Sequence, residues 1–159
     1  MPRQRSSSRA SAAVDATPSP KMRPLRRLIG TWLTEGVTLR QGEPTGERFV
    51  FVDHYAWLAG GHFIAHTVTG ELDGVALHGL EIIGYDGKVL CATSYDSQGV
   101  VTHYRARLTG RMWSMVSPRE RFNGAFTPDG KRLAGEWERK TARGEWRATM
   151  RVTLTRISM

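Results

Sequence analysis

The sequence predicts an all-β fold: a closed antiparallel up-and-down barrel of about 8–10 strands with a short N-terminal helix. Three observations carry that expectation. Short runs rich in β-branched and aromatic residues recur between Gly, Asp and Pro punctuation along most of the chain. No run reads as a long helix. A meander of this many antiparallel strands would twist too far to stay flat, and closure removes both exposed edges.

The elements follow in order. Met22–Ile29, with Pro24 early and Gly30 just after, suits a short helix covering one barrel end. The expected strands are Thr31–Leu39, Arg48–Trp57, His62–Thr69, Leu80–Tyr85, Val89–Tyr95, Val101–Leu108, Met112–Val116, Arg121–Phe126, Arg132–Arg139 and Glu145–Arg156. Ala59-Gly60-Gly61, Tyr85-Asp86-Gly87, Ser97-Gln98-Gly99, Thr109-Gly110, Pro128-Asp129-Gly130 and Ala142-Arg143-Gly144 supply turn residues that tolerate positive φ.

A chain of 159 residues with 40% hydrophobic content fits one core. Its formal charge of +8 points at first to nucleic acid or an anionic surface. Residues 1–27, however, hold Arg3, Arg5, Arg9, Lys21, Arg23, Arg26 and Arg27 against Asp15 alone, which is 7 − 1 = +6. A groove tracking phosphates needs its cations on the folded surface, so no specific nucleic-acid partner is expected. Residues 1–21 read as a disordered basic tail, rich in Ser, Ala, Pro and Arg, with a weak anionic-surface tether or an organellar address as alternatives. Residues 22–159 then form the barrel domain. Cys91 stands alone, which excludes an internal disulfide and a multi-cysteine metal site. With no segment of the length needed to span a bilayer, a cytoplasmic protein is expected.

Alternate residues of a strand face opposite ways, which sorts inside from outside. In the last strand Trp146, Ala148, Met150, Val152 and Leu154 share one face, and Arg156 falls with them, needing a partner there. In Val101–Leu108 the solvated Arg105 and Arg107 turn Tyr104, Ala106 and Leu108 inward and His103 outward. Arg48–Trp57 is ambiguous, because Phe49, Phe51, Asp53, Tyr55 and Trp57 oppose Val50, Val52, His54 and Ala56. So is His62–Thr69, with His62, Ile64, His66 and Val68 on one side.

Leu28-Ile29-Gly30-Thr31-Trp32 at the first strand together with Arg156 at the last resembles the lipocalin-like (calycin) barrel pattern. In that pattern a tryptophan plugs one end and a C-terminal arginine lies across it, giving Gly30, Trp32 and Arg156 the role of closing the barrel. Tyr55-Ala56-Trp57-Leu58-Ala59-Gly60-Gly61-His62-Phe63 and Glu81-Ile82-Ile83-Gly84-Tyr85-Asp86 look like a bacterial family of lipocalin-like domains of unknown function. Tyr95-Asp96-Ser97-Gln98-Gly99, Arg121-Phe122-Asn123-Gly124 and Gly135-Glu136-Trp137-Glu138 extend the likeness over residues 25–156. It implies a small-molecule cavity and brings no catalytic residues.

His54 and His66 lie on neighbouring strands and are placed to face one another across a hairpin, as an acid–base pair or simply as two polar residues on a mixed face. No third ligand accompanies them, so no metal is expected. Asp53, Glu81 and Asp96 are candidate buried carboxylates, although Asp96 reads better as a turn residue bonding its own backbone. Tyr95 and Tyr104 offer hydroxyls within an apolar wall, and Trp113, Trp137 and Met150 serve as core with ligand contact in addition. The candidate ligand-binding set is therefore His54, His66, Tyr95, Tyr104, Trp113 and Met150, and His54, His66 and Tyr104 are the catalytic candidates. The leading expectation is binding of an apolar or aromatic metabolite without a cofactor. The alternatives are a cofactor-free isomerase or cyclase using buried His, Tyr or carboxylate groups, and a barrel holding haem through one axial His. A two-fold homodimer is the expected form of any self-association.

Overall fold

The computed structural model describes residues 17–159; the first sixteen residues of the basic tail lie outside it. Ten antiparallel strands form one closed barrel: β1 (Gly30–Arg40), β2 (Glu43–Trp57), β3 (Phe63–Leu72), β4 (Val75–Asp86), β5 (Val89–Asp96), β6 (Val101–Thr109), β7 (Met112–Val116), β8 (Glu120–Phe126), β9 (Arg132–Lys140) and β10 (Trp146–Ser158). Each strand pairs with its neighbours in sequence, and β1 pairs with β10 to close the ring. All ten expected strands are present.

β2, β3 and β4 run longer than expected because two turns were not foreseen. Gln41-Gly42 and Asp73-Gly74 each carry positive φ at both positions, between the paired residues Arg40 and Glu43 and Leu72 and Val75. These are two-residue turns whose twist matches that of the strands, so pairing continues up to the tip.

The N-terminal helix is a 3-10 helix, Pro20–Arg27, followed by Leu28. Three residues per turn place Met22, Leu25 and Leu28 in one row, and all three are buried. That row lies over one end of the barrel interior, together with Trp32 and Phe126.

Trp32 is the plug. It is 1% exposed, and its indole N–H donates to Leu28 O at 2.7 Å. The Arg156 guanidinium lies over its ring at 4.2 Å and donates to the backbone carbonyls of Ile29, Arg27 (2.6 Å) and Gly130 (3.3 Å). The partner that an inward arginine requires is therefore an aromatic face plus three carbonyls. Gly30 has φ +124°, and a Cβ there would stand 2.4 Å from Ser158 O, so only glycine admits this closure.

Inward positions follow the aromatic face of β2. Phe49, Asp53 and Tyr55 are buried, whereas Val50 and Val52 are exposed. β6 behaves as its charges predict, with Tyr104 buried between exposed His103 and Arg105. In β10 the single-face reading fails. Ala148 pairs with Glu138, but Met150 pairs with Trp137, so one extra residue bulges between them. A bulge reverses the sides of what precedes it. Trp146 and Ala148 consequently share the outer face with Glu138, and Trp146 packs under Arg121 at 4.4 Å. Arg121 is itself held by Glu138 at 2.5 Å.

Candidate functional site

With one end plugged, the interior opens at the other as a cavity of about 1030 Å³. Aromatic side chains contribute to its wall beside aliphatic and polar ones: Phe49, Phe51, Tyr55, Tyr104, Trp113, Phe122 and Trp137 are among them. Polar groups lie on several strands of the wall, and one cluster of them occupies β2, β3 and β4.

Tyr55 lies directly opposite His66 across β2 and β3, and His66 directly opposite Glu81 across β3 and β4. Residues paired this way point to the same side of the sheet. Asp53, two residues before Tyr55, joins them. His66 Nε2 donates to Asp53 Oδ1 at 2.7 Å and Nδ1 donates to Glu81 Oε1 at 3.1 Å, while the Thr34 hydroxyl donates to Asp53 Oδ2. The Tyr55 ring stacks on the imidazole, with centroids 3.9 Å apart and planes 6° from parallel.

Burial alone would lower the pKa of His66. The hydrogen bonds to Asp53 and Glu81, and the charges behind them, reverse this and push it up to about 9. His66 is thus an imidazolium at neutral pH, with both nitrogens committed as donors. Burial, followed by the nearby Asp53 and Glu81 charges, keeps the Tyr55 phenol protonated well beyond its ordinary range.

A second polar pair stands on β6 and β8. The Tyr104 hydroxyl donates to the Glu120 carboxylate, and Arg139 approaches the same carboxylate at 3.6 Å from the rim. Burial and Glu120 raise the Tyr104 pKa well above its usual value. Tyr104 meets Trp137 edge to face at 5.9 Å.

The predicted residues separate cleanly. His66, Tyr104, Trp113 and Met150 line the cavity. His54 does not: it pairs with Thr67 rather than His66, lies exposed on the outer face and contacts the Thr31 hydroxyl at 3.0 Å. The two histidines sit on opposite sides of the sheet because the register across β2 and β3 is one residue away from the one that would pair them. Tyr95 opposes the inward Ser94 in parity and is 48% exposed, so it stands at the cavity mouth rather than within the wall. Asp53 and Glu81 are both 6% exposed, whereas Asp96 accepts from the backbone N–H groups of Gln98 and Val100, each at 2.9 Å, as a turn residue does. Thr34 and Glu120 were missed. The signal for Glu120 was the hydroxyl of inward Tyr104, which needed a partner across the neighbouring strands.

Among the described residues no cluster of His, Cys, Asp and Glu has the arrangement of a metal site, and no helix is long and apolar enough to cross a membrane. A closed ten-strand barrel with one plugged end and one open cavity is the architectural class. Residues 17–104 match a family described as a protein of unknown function, DUF1579, and the chain belongs to that family. Among solved structures it is similar to the crystal structure of Rv2717c from M. tuberculosis, with TM-score 0.63 and 12% identity over 87% of this chain and 98% of that one. At that identity the likeness shows the fold alone. No curated protein matches the chain significantly.

Proposed function

We propose that the barrel binds a small apolar or aromatic metabolite in its cavity, as a lipocalin-like carrier or sensor. One observation carries this reading: a cavity of about 1030 Å³ whose wall combines aromatic and aliphatic side chains with a buried polar cluster of Asp53, His66 and Glu81. That is the usual composition of a small-molecule site. The lipocalin-like reading is supported by the Trp32–Arg156 closure. Native mass spectrometry of freshly purified protein is the test, with a bound species released on denaturation as the expected result. A bare chain in every preparation, together with no thermal shift from a panel of aromatic metabolites, refutes it.

A cofactor-free acid–base enzyme is the second reading, favoured because Asp53, His66, Glu81, Tyr104 and Glu120 all face one cavity. Tyr104→Phe is its cleaner test, since His66→Ala would also leave two buried carboxylates facing each other. Loss of turnover with an unchanged melting temperature supports catalysis, and equal loss of stability supports a packing role. Haem on an axial histidine has the geometry of His66 against it, because either ring nitrogen would first have to leave a carboxylate.

A further inference from the structure

We propose that the cavity selects a cationic guest: a small molecule with an aromatic or aliphatic body and a protonated amine, the amine seated on Glu81. This rests on the cavity-binding reading and names its ligand class.

One carboxylate oxygen of the cluster is open to a further donor. Asp53 commits both oxygens, one to His66 and one to Thr34. Glu81 commits only Oε1, to His66, and its Oε2 accepts no hydrogen bond from any described residue. The Glu81 side chain is 8% exposed and forms part of the cavity wall, and Oε2 is not among the fully buried atoms without a partner, so it is reached from the open cavity. A guest ammonium donating to this oxygen replaces water there with a charge-assisted hydrogen bond, which is stronger than a neutral one.

Charge separates an amine from a neutral donor. Two carboxylates face one imidazolium, which leaves one formal negative charge over within the cluster. The neighbouring hydroxyls add no positive charge: Tyr55 and Tyr104 stay neutral phenols. Arg139, reaching Glu120 at 3.6 Å, is 73% exposed, and Arg119 and Lys140 are likewise exposed at the mouth, where solvent screens them. A cation inside is therefore drawn by an interaction that the rim does not cancel. The aromatic wall adds to it, because ring faces attract ammonium groups.

Three probes of one shape decide the matter at pH near neutral by titration calorimetry: 2-(1-naphthyl)ethylamine, 2-(1-naphthyl)ethanol and 1-naphthylacetate. The amine is expected to bind at least about tenfold more tightly than the alcohol, with the acetate weakest. Glu81→Gln should bring the amine to within about twofold of the alcohol. Should that variant fail to fold, the wild-type ranking still decides the charge preference, and an amine-specific shift of the His66 ring resonances locates the ammonium. Alcohol or acetate binding as tightly as the amine overturns the proposal and leaves cavity binding standing. Equal amine affinity in wild type and Glu81→Gln overturns the assignment to Glu81. Absence of binding by all three overturns the proposal and counts against the cavity reading itself.

Discussion

Raising the pH from about 6 to about 10 removes the proton with which His66 joins Asp53 to Glu81, and the barrel should lose stability as it goes. The folded pKa of about 9 stands above the ordinary value of 6.5, so the folded state binds the proton more tightly than the unfolded chain does. The stabilisation is therefore complete below about pH 6.5, declines between there and about pH 9, and is absent above. A separation of roughly 2.5 pH units corresponds to about 3 kcal/mol, or a fall of about 6–12 °C in melting temperature for a chain of this size. The comparison requires urea denaturation of wild type and His66→Gln across this range, so that contributions common to both proteins cancel. The wild type should lose about 3 kcal/mol more than the variant. An NMR titration of the imidazole signals gives the same quantity directly: the resonance missing from His66→Gln should have its midpoint near 9, and Asp53→Asn should lower that midpoint by about 1–3 units. Identical pH slopes in wild type and His66→Gln, or a midpoint at or below 6.5, would refute the reasoning.

Two further perturbations probe the frame that holds the site. Arg156→Met removes the cation from the Trp32 face and three hydrogen bonds to carbonyls, and should cost about 2–4 kcal/mol in denaturant melts; a loss below about 0.5 kcal/mol would show that the plug does not need its arginine. Gly135→Ala places a Cβ 2.3 Å from Asn123 O and 2.6 Å from Gly124 Cα, both backbone atoms that cannot turn away, so a loss of about 2 kcal/mol or more is expected and a neutral effect would disprove that close strand approach.

Turn chemistry and alternation made most of this architecture legible in advance. Gly-containing turns delimited the strands, and Trp32 with Arg156 identified the closed end. What failed was register. Whether His66 meets His54 or Tyr55 depends on one residue in the connection between β2 and β3, and alternation in β2 could not arbitrate because both of its faces are apolar. The solution puts Phe49, Asp53 and Tyr55 inside and leaves Val50 and Val52 on the surface. The bulge before Met150 is invisible for the same reason: it changes no composition, only which side each residue takes. Asp53 and Glu81 were recognisable as candidate buried acids, but their union through His66 is a property of three strands in register, not of any one segment.

Pairing between β1 and β10 also sets a schedule. Arg156 reaches back across 127 residues to Ile29, and Trp32 aligns with Arg156 across the final seam. A nascent chain can form the meander from β1 through β9 as it emerges, but until β10 arrives two strand edges stay unpaired and the tryptophan has no cover. Ring closure by a contact of such long range is slow compared with hairpin formation. The half-made barrel is thus the species most exposed to wrong partners, and the arrival of β10 is what ends its vulnerability.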